Sequence, residues 1–427
     1  MSKTGFSAAD ILLPAKGNYE TWAVVACDQF TSQPEYWESA EKIVGDEPST
    51  LRVILPEAQL SDGHTDEHIA KINQTMREYL AGEIFEEHRD SMIYLERVQS
   101  DGRIRRGLIG KIDLEEYDYS PDSSSLVRAT EGTVLDRIPP RQAVRRDASL
   151  ELPHIMLLID DPENTVIGPL AGCDDKIYDF DLMLGGGHAK AFLVDEDHKA
   201  KAMEALEVLA DSPLLFAVGD GNHSLASAKA HYEEEKAKAG PGSEDTLLSR
   251  YALVEVVNLY DEALEFEPIH RVLFDVDPAA LLSDIVQAFP GARIVGESGE
   301  IVGSSKEEKC FGDECNNAGA HRIRFAWAEG EGTLCIPKPP AQLEVGTLQG
   351  FLDTYLEVKG GRIDYVHGDE VTIELGRKEG CIAFLLPAMD KNDLFRSIIA
   401  DGPLPRKTFS MGHAEDKRYY IEARKIK

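Results

Sequence analysis

The stretch Leu214-Leu215-Phe216-Ala217-Val218-Gly219-Asp220-Gly221-Asn222-His223-Ser224-Leu225-Ala226-Ser227-Ala228 decides how the chain is read. Its apolar opening is what a centrally buried strand requires, and the pattern through 224–238 is helical until Gly240-Pro241-Gly242 stops it. A buried strand that runs through a glycine turn straight into a helix belongs to a mixed α and β architecture, with the turn at one end of a sheet. Glycines at such a turn let backbone N–H groups approach an anion, and the unpaired N–H groups and positive end of the helix favour phosphate. Asp220 can hold Mg²⁺ or orient a hydroxyl, and His223 can donate to phosphate oxygens. The same residues also suit a plain strand-to-helix turn with Asn222 or Ser224 as its cap.

Outward from this point, strand-like and helix-like segments alternate along the whole chain. Residues 155–159 read as a buried strand that ends at Asp160-Asp161-Pro162, and 251–257 as another. A helix follows Thr65 with Ile69, Ile72, Met76, Leu80 and Ile84 on one face, and a second follows His198 with Met203, Leu206 and Leu209 inward. Asp277 before Pro278 opens a third, with Leu281, Leu282, Ile285, Val286 and Phe289 buried. Residues 296–320 are polar and glycine-rich, as in a loop or insertion. Beyond them, 322–327, 371–375, 381–386 and 418–423 alternate like strands, and helices are expected near 343–356 and after Asp390. The expected fold class is therefore α+β in the mixed sense. A boundary near residue 245 would give regions 1–245 and 246–427, a single intertwined unit being the other arrangement.

The chain of 427 residues is 42% apolar with a formal net charge of −32, so it folds on its own core and its mean field repels nucleic acid and anionic membrane surfaces. No apolar run reaches the roughly 18 residues a spanning helix needs, and Ile11-Leu12-Leu13 before Pro14 is too short for a secretory core, so a cytoplasmic protein is expected. Six scattered cysteines predict reduced thiols. Cys310 and Cys315, with His321 and Cys335, have only loose zinc spacing.

Other clusters could carry chemistry. Arg128, Thr130, Glu131, Arg137 and Arg141 gather arginines, a hydroxyl and a carboxylate that could clamp phosphate and supply a base, or form a loop of solvated ion pairs. Leu184-Gly185-Gly186-Gly187-His188 suits a hairpin turn better than a phosphate cradle. Arg406, Lys407, Thr408 and Ser410 precede a net-positive segment that should dock on the acidic body and lay 406–413 over a site. Asp62-Gly63-His64 with Gly221-Asn222-His223 offers part of a metallophosphoesterase pattern, but the Gly-Asp-x-x-Asp element between them is missing.

Taken together, 27–37, 128–141, 153–156, 180–183, 219–223, 269–271 and 406–411 resemble, in order, the bacterial and archaeal family known as domain of unknown function 1015. The family's central Asp-Gly-His-His-Arg motif is similar to one in the ParB/sulfiredoxin-like superfamily, which includes free-serine kinases and CTP-binding partition proteins. The resemblance therefore implies a nucleotide-binding core with large elaborations. Asp220, Gly221 and His223 match that motif, whereas Asn222 and Ser224 stand where histidine and arginine are expected. It implies a phosphotransferase of the serine-kinase type, using ATP or ADP with Mg²⁺ and a small-molecule acceptor such as L-serine. Asp220, His223 and Glu131 would be catalytic, with Asp220 also the metal ligand. Gly221, Asn222, Ser224, Arg128 and Thr130 would bind nucleotide phosphate, and Arg137, Arg141, Lys407 and Thr408 would clamp substrate. A nucleotide-binding regulatory module and a metal-dependent phosphatase are the alternatives.

Overall fold

The apolar run at 155–159 forms a strand, Ile155–Ile159, with every residue buried. It has a partner on each edge: Tyr251–Asn258 in parallel and Phe216–Asp220 antiparallel. In a computed structural model that describes residues 3–15, 18–27, 30–31, 33–56, 59, 63–152, 155–296, 301–304, 319–412 and 414–427, these strands form the middle of a ten-stranded mixed sheet. On one side the order continues through Ile104–Asp113 and Ile93–Val98 to the hairpin His188–Leu193 and Asp175–Asp181. On the other it continues through Val127–Ala129 to Tyr117–Asp118, both in parallel sense to Phe216–Asp220. The mixed fold class expected from the sequence is thus the observed one.

The chain divides into two compact units, one of 1–264 with 412–427 and one of 265–411. The expected boundary near residue 245 falls inside the first, because Tyr251–Asn258 bridges Ile104–Asp113 and Ile155–Ile159 in its sheet. The first unit also recovers the segment after 412. Tyr419–Tyr420 pairs with Val24–Val25, and Arg424–Lys425 with Leu150–Glu151. Buried charge reinforces this docking: Arg418 pairs with Glu255 and Glu422, and Arg424 meets Glu151 at 2.7 Å. The expectation that a positive segment docks holds, but through buried ion pairs and strand edges more than through surface charge.

The glycine run proves to be a packing seat. Gly187 lies in the Asp175–Asp181/His188–Leu193 hairpin turn, at φ +80. A Cβ on Gly186 would lie 1.9 Å from Tyr419 Oη, and that hydroxyl donates to Met183 O at 2.6 Å.

The second unit holds a seven-stranded antiparallel sheet ordered Ile301–Ser304, Arg293–Gly296, Gly330–Ile336, His321–Trp327, Ile382–Leu385, His270–Phe274 and Arg362–Val366. Asp277 caps the helix Pro278–Ala288 by accepting from Ala280 N–H at 3.1 Å, as its sequence predicts. One expectation is corrected here. Residues 371–375 are not a strand but part of the helix Asp369–Gly376. Their alternation of Val371, Ile373 and Leu375 misleads because the buried positions are the small ones, Thr372 and Gly376, spaced one helical turn apart. Gly376 is required there, since a Cβ would come within 2.5 Å of Ala383 Cβ. The expectation of reduced thiols also needs correction: Cys27, Cys173 and Cys381 are thiols, but Cys335 is disulfide-bonded. Cys310 and Cys315 lie outside the described residues, as does Asp62.

Candidate active site

Asp220 ends its strand, and Gly221 turns the chain into the helix Asn222–Ala239. Gly221 adopts φ +85, and a Cβ there would sit 3.2 Å from Ile155 Cγ1 and 3.3 Å from Ile155 Cα. Gly219 is confined for a different reason, since its Cβ would lie 2.8 Å from Leu158 Cγ on the neighbouring strand. These glycines serve turn and packing directly. Gly221→Ala is therefore expected to destabilise the protein by about 1–3 kcal/mol, read as a lower denaturant midpoint with an unchanged circular-dichroism spectrum.

Gly221, at the N-cap of the helix that follows, has no side chain with which to cap it. Asp220 Oδ1 accepts from Gly221 N–H at 2.8 Å, and the ladder of the helix begins with Leu225 N–H to Gly221 O at 2.9 Å. The positive end of an 18-residue helix therefore lies beside the Asp220 carboxylate.

Parallel pairing brings a second segment to the same end of the sheet. Ala129 lies opposite Val218, so the residues after it emerge beside Asp220. Thr130 Oγ1 donates to Val218 O at 2.6 Å, and its N–H donates to Asn222 Oδ1 at 3.2 Å. Asn222 Nδ2 in turn donates to Thr130 Oγ1 at 3.2 Å and to Val218 O at 3.4 Å. Glu131 follows, half-buried. Val134 N–H donates to His223 Nε2 at 3.3 Å, so the neutral ring carries its proton on Nδ1. The clasp fixes the loop after Ala129 against the turn, but it engages the side chains of Asn222 and Thr130 that the sequence reading assigns to phosphate.

Lys417, from the docked segment, donates to Asp220 Oδ2 at 3.2 Å; its side chain is 18% exposed against 42% for Asp220. Three residues on, Tyr420 donates to Ala26 O at 3.4 Å. Burial pushes the Tyr420 hydroxyl up to about 12, helped by the charges of Asp220 and Cys27 and opposed by Arg141. One partly buried phenol thus feels Asp220, Cys27 and Arg141 together. Lys417 is absent from the site residues read from sequence, where it counts only as one of several basic residues; 197 positions separate it from Asp220.

The remaining candidates divide. Arg141 lies on the helix Ile138–Arg146, its guanidinium donating to Arg137 O at 3.1 Å, and Arg137 is exposed at the start of that helix. Ser224 is half-buried in the first turn after Gly221. Arg128 is engaged elsewhere: Nε donates to Ser125 O at 2.8 Å and an Nη to Pro213 O at 2.6 Å. Those carbonyls precede the two paired strands, whereas Asp220 ends one of them, so the Arg128 guanidinium points away from Asp220 as a brace between loops. Lys407 and Thr408 belong to the second unit. There Lys407 is exposed at φ +58 and Thr408 Oγ1 donates to Pro405 O at 2.6 Å. Buried Arg271 holds this turn by donating to Lys407 O at 2.8 Å and Arg406 O at 3.1 Å. His413 lies outside the described residues.

Among the described residues no helix is long and apolar enough to cross a membrane. A family model described as "Protein of unknown function (DUF1015)" matches residues 9–355. No curated protein matches the chain. Among solved structures, a variant of free serine kinase in complex with ADP is similar at 9% identity and a TM-score of 0.40, covering 75% of this chain and 92% of that one. A conserved hypothetical protein from Pyrococcus furiosus is similar at 11% identity and a TM-score of 0.35, covering 71% and 90%. SbnI with a C-terminal truncation, from Staphylococcus aureus, is similar at 8% identity and a TM-score of 0.36, covering 71% and 82%.

Proposed function

The chain belongs to the DUF1015 family, and from that membership and its motif we propose a small-molecule phosphotransferase of the free-serine-kinase type, using ATP or ADP with Mg²⁺. One observation carries the reading: a helix start with glycine at its N-cap, the Asp220 carboxylate and the Lys417 ammonium converge at one sheet end, beside the segment that brings Glu131. Phosphoryl transfer needs little covalent chemistry from a protein. It needs anion-holding N–H groups, a point charge, a metal ligand and a base, and these residue types supply them.

In this reading the first-turn N–H groups from Asn222 to Ser224 hold the nucleotide phosphates and Lys417 meets the charge on the transferring group. Arg141 adds positive field to the Asp220 side of the site. Glu131 accepts the proton of the attacking hydroxyl, so the acceptor gains a phosphoryl group as the nucleotide loses one. His223 has Nε2 engaged by Val134 N–H and serves through Nδ1–H as a hydrogen-bond donor. One half-exposed carboxylate suits Mg²⁺, which commonly takes one or two protein carboxylates and fills its shell with phosphate oxygens and water. Asp220 would hold the ion, which when bound neutralises phosphate charge. Asn222 and Thr130 act by positioning the loop. Arg128 is not part of this mechanism.

The Lys417–Asp220 pair also favours the alternative reading of a nucleotide-binding module with slow hydrolysis, because the carboxylate is neutralised before any ligand arrives. One assay separates them. The full chain with Mg²⁺, ATP or ADP and L-serine is expected to form O-phosphoserine, followed by phosphorus NMR. Nucleotide binding or hydrolysis without transfer to serine would support the module, and a lack of binding to either nucleotide would remove both. Lys417→Met is expected to weaken nucleotide affinity at least tenfold by calorimetry while the melting temperature moves little, since a partly exposed pair contributes roughly 0–1 kcal/mol.

A further inference from the structure

In the first unit, a set of metal-binding atoms converges that the phosphotransferase reading does not use. Cys173 follows the short turn Gly168–Gly172, and Asp195 and His198 begin the helix Glu196–Leu209. One ligand atom from each of the three lies within 4.8 Å of the other two. Roughly 3.3–3.8 Å separates the corners of a tetrahedral zinc site with sulfur, nitrogen and oxygen ligands, so closing on an ion asks each side chain to move by about an ångström or less.

The surroundings orient each group. Asp195 Oδ1 accepts from the N–H groups of Asp197 and His198, both at 3.0 Å, which fixes the carboxylate. Its Oδ2 lies 2.6 Å from His198 Nδ1. A proton shared there leaves Nε2 as the basic nitrogen of the neutral ring. Nε2 faces Gly172, whose missing side chain leaves it room: a Cβ at that position would come within 3.0 Å. The next residue is Cys173, 6% exposed and a free thiol. An N-cap alone explains the Asp195 bonds to the helix. It does not explain a buried thiol and an imidazole turned toward one another across a glycine.

We propose that Cys173, Asp195 and His198 form a zinc site, with the Cys173 thiolate, a His198 ring nitrogen and an Asp195 carboxylate oxygen at three corners and water at the fourth. The site would pin the turn Gly168–Gly172 to the start of the helix Glu196–Leu209. Binding is not a redox step: Zn²⁺ takes the thiolate, and the thiol proton passes to solvent. Because binding releases the thiol proton, affinity should fall as pH falls.

The test is a titration of the full chain with Co²⁺ and with Zn²⁺ in buffer free of added thiols. A sulfur-to-cobalt charge-transfer band that saturates at one equivalent, is bleached by Zn²⁺ and is accompanied by a higher melting temperature is expected. Cys173→Ser should abolish the band, His198→Gln should weaken Zn²⁺ affinity at least tenfold, and Cys27→Ser and Cys381→Ser should leave both unchanged. Absence of saturable Co²⁺ and Zn²⁺ binding in the unaltered chain would overturn the proposal. So would a band that survives in Cys173→Ser, or, should that variant fail to fold, undiminished affinity in His198→Gln.

Discussion

Asp220→Asn is expected to lower Mg²⁺-dependent nucleotide turnover by at least a hundredfold while leaving the fold intact. The substitution keeps the shape and keeps an oxygen able to accept from Gly221 N–H, so the turn survives. It removes the charge that faces Lys417 and would hold the metal. Loss of one such contact commonly costs about 3 kcal/mol or more in the transition state, and each 1.4 kcal/mol is about tenfold in rate. Steady-state turnover beside a thermal melt checks it. Unchanged turnover would take Asp220 out of the mechanism, and a lost melt would assign it to stability.

Glu151→Gln is expected to destabilise the first unit by about 3–5 kcal/mol, because it leaves buried Arg424 and half-buried Arg145 without their counter-charge. Glu151 is 3% exposed and pairs with Arg145 and with Arg424, which also donates to Leu248 O at 3.1 Å. Burial alone would push the Glu151 carboxyl up, but Arg145 and Arg424 outweigh it and hold it below the usual carboxylate range. The sign follows from that. A carboxylate with a depressed folded pKa contributes stability that is present above its unfolded value near 4.3 and is lost as pH falls through the folded one. The stability gap between the unaltered chain and Glu151→Gln should therefore narrow in acid. Denaturant unfolding at neutral and acidic pH measures it, and a gap independent of pH would discount the ion pairs.

The motif strand and helix were legible because local chemistry writes their limits. Gly221 at φ +85 and Gly240 at φ +83 bracket a helix whose start and stop the sequence marks with glycine. The run 155–159 was legible because a strand paired on both edges and buried throughout must be continuously apolar. What was not legible depends on direction or distance. Arg128 and Thr130 stand two residues apart, yet the arginine braces Pro213 while the threonine meets Asn222, and composition does not encode which neighbour a long side chain reaches. Lys417 joins Asp220 only because Tyr419–Tyr420 finds Val24–Val25, a pairing no local pattern announces. Residues 371–375 failed because small residues can line the buried face of a helix.

The first unit is interrupted in sequence by 265–411 and completed by 412–427. During synthesis, at roughly 5–20 residues per second, the sheet around Asp220 therefore leaves the ribosome long before Lys417 and Arg424 do. For that interval Glu151 and Glu255 lack their partners from the last segment, and the edge of Val24–Val25 stands open. The nascent first unit is then most exposed to proteases and to pairing with a second nascent chain. A premature stop anywhere within 265–411 would leave every ribosome-released product in that state.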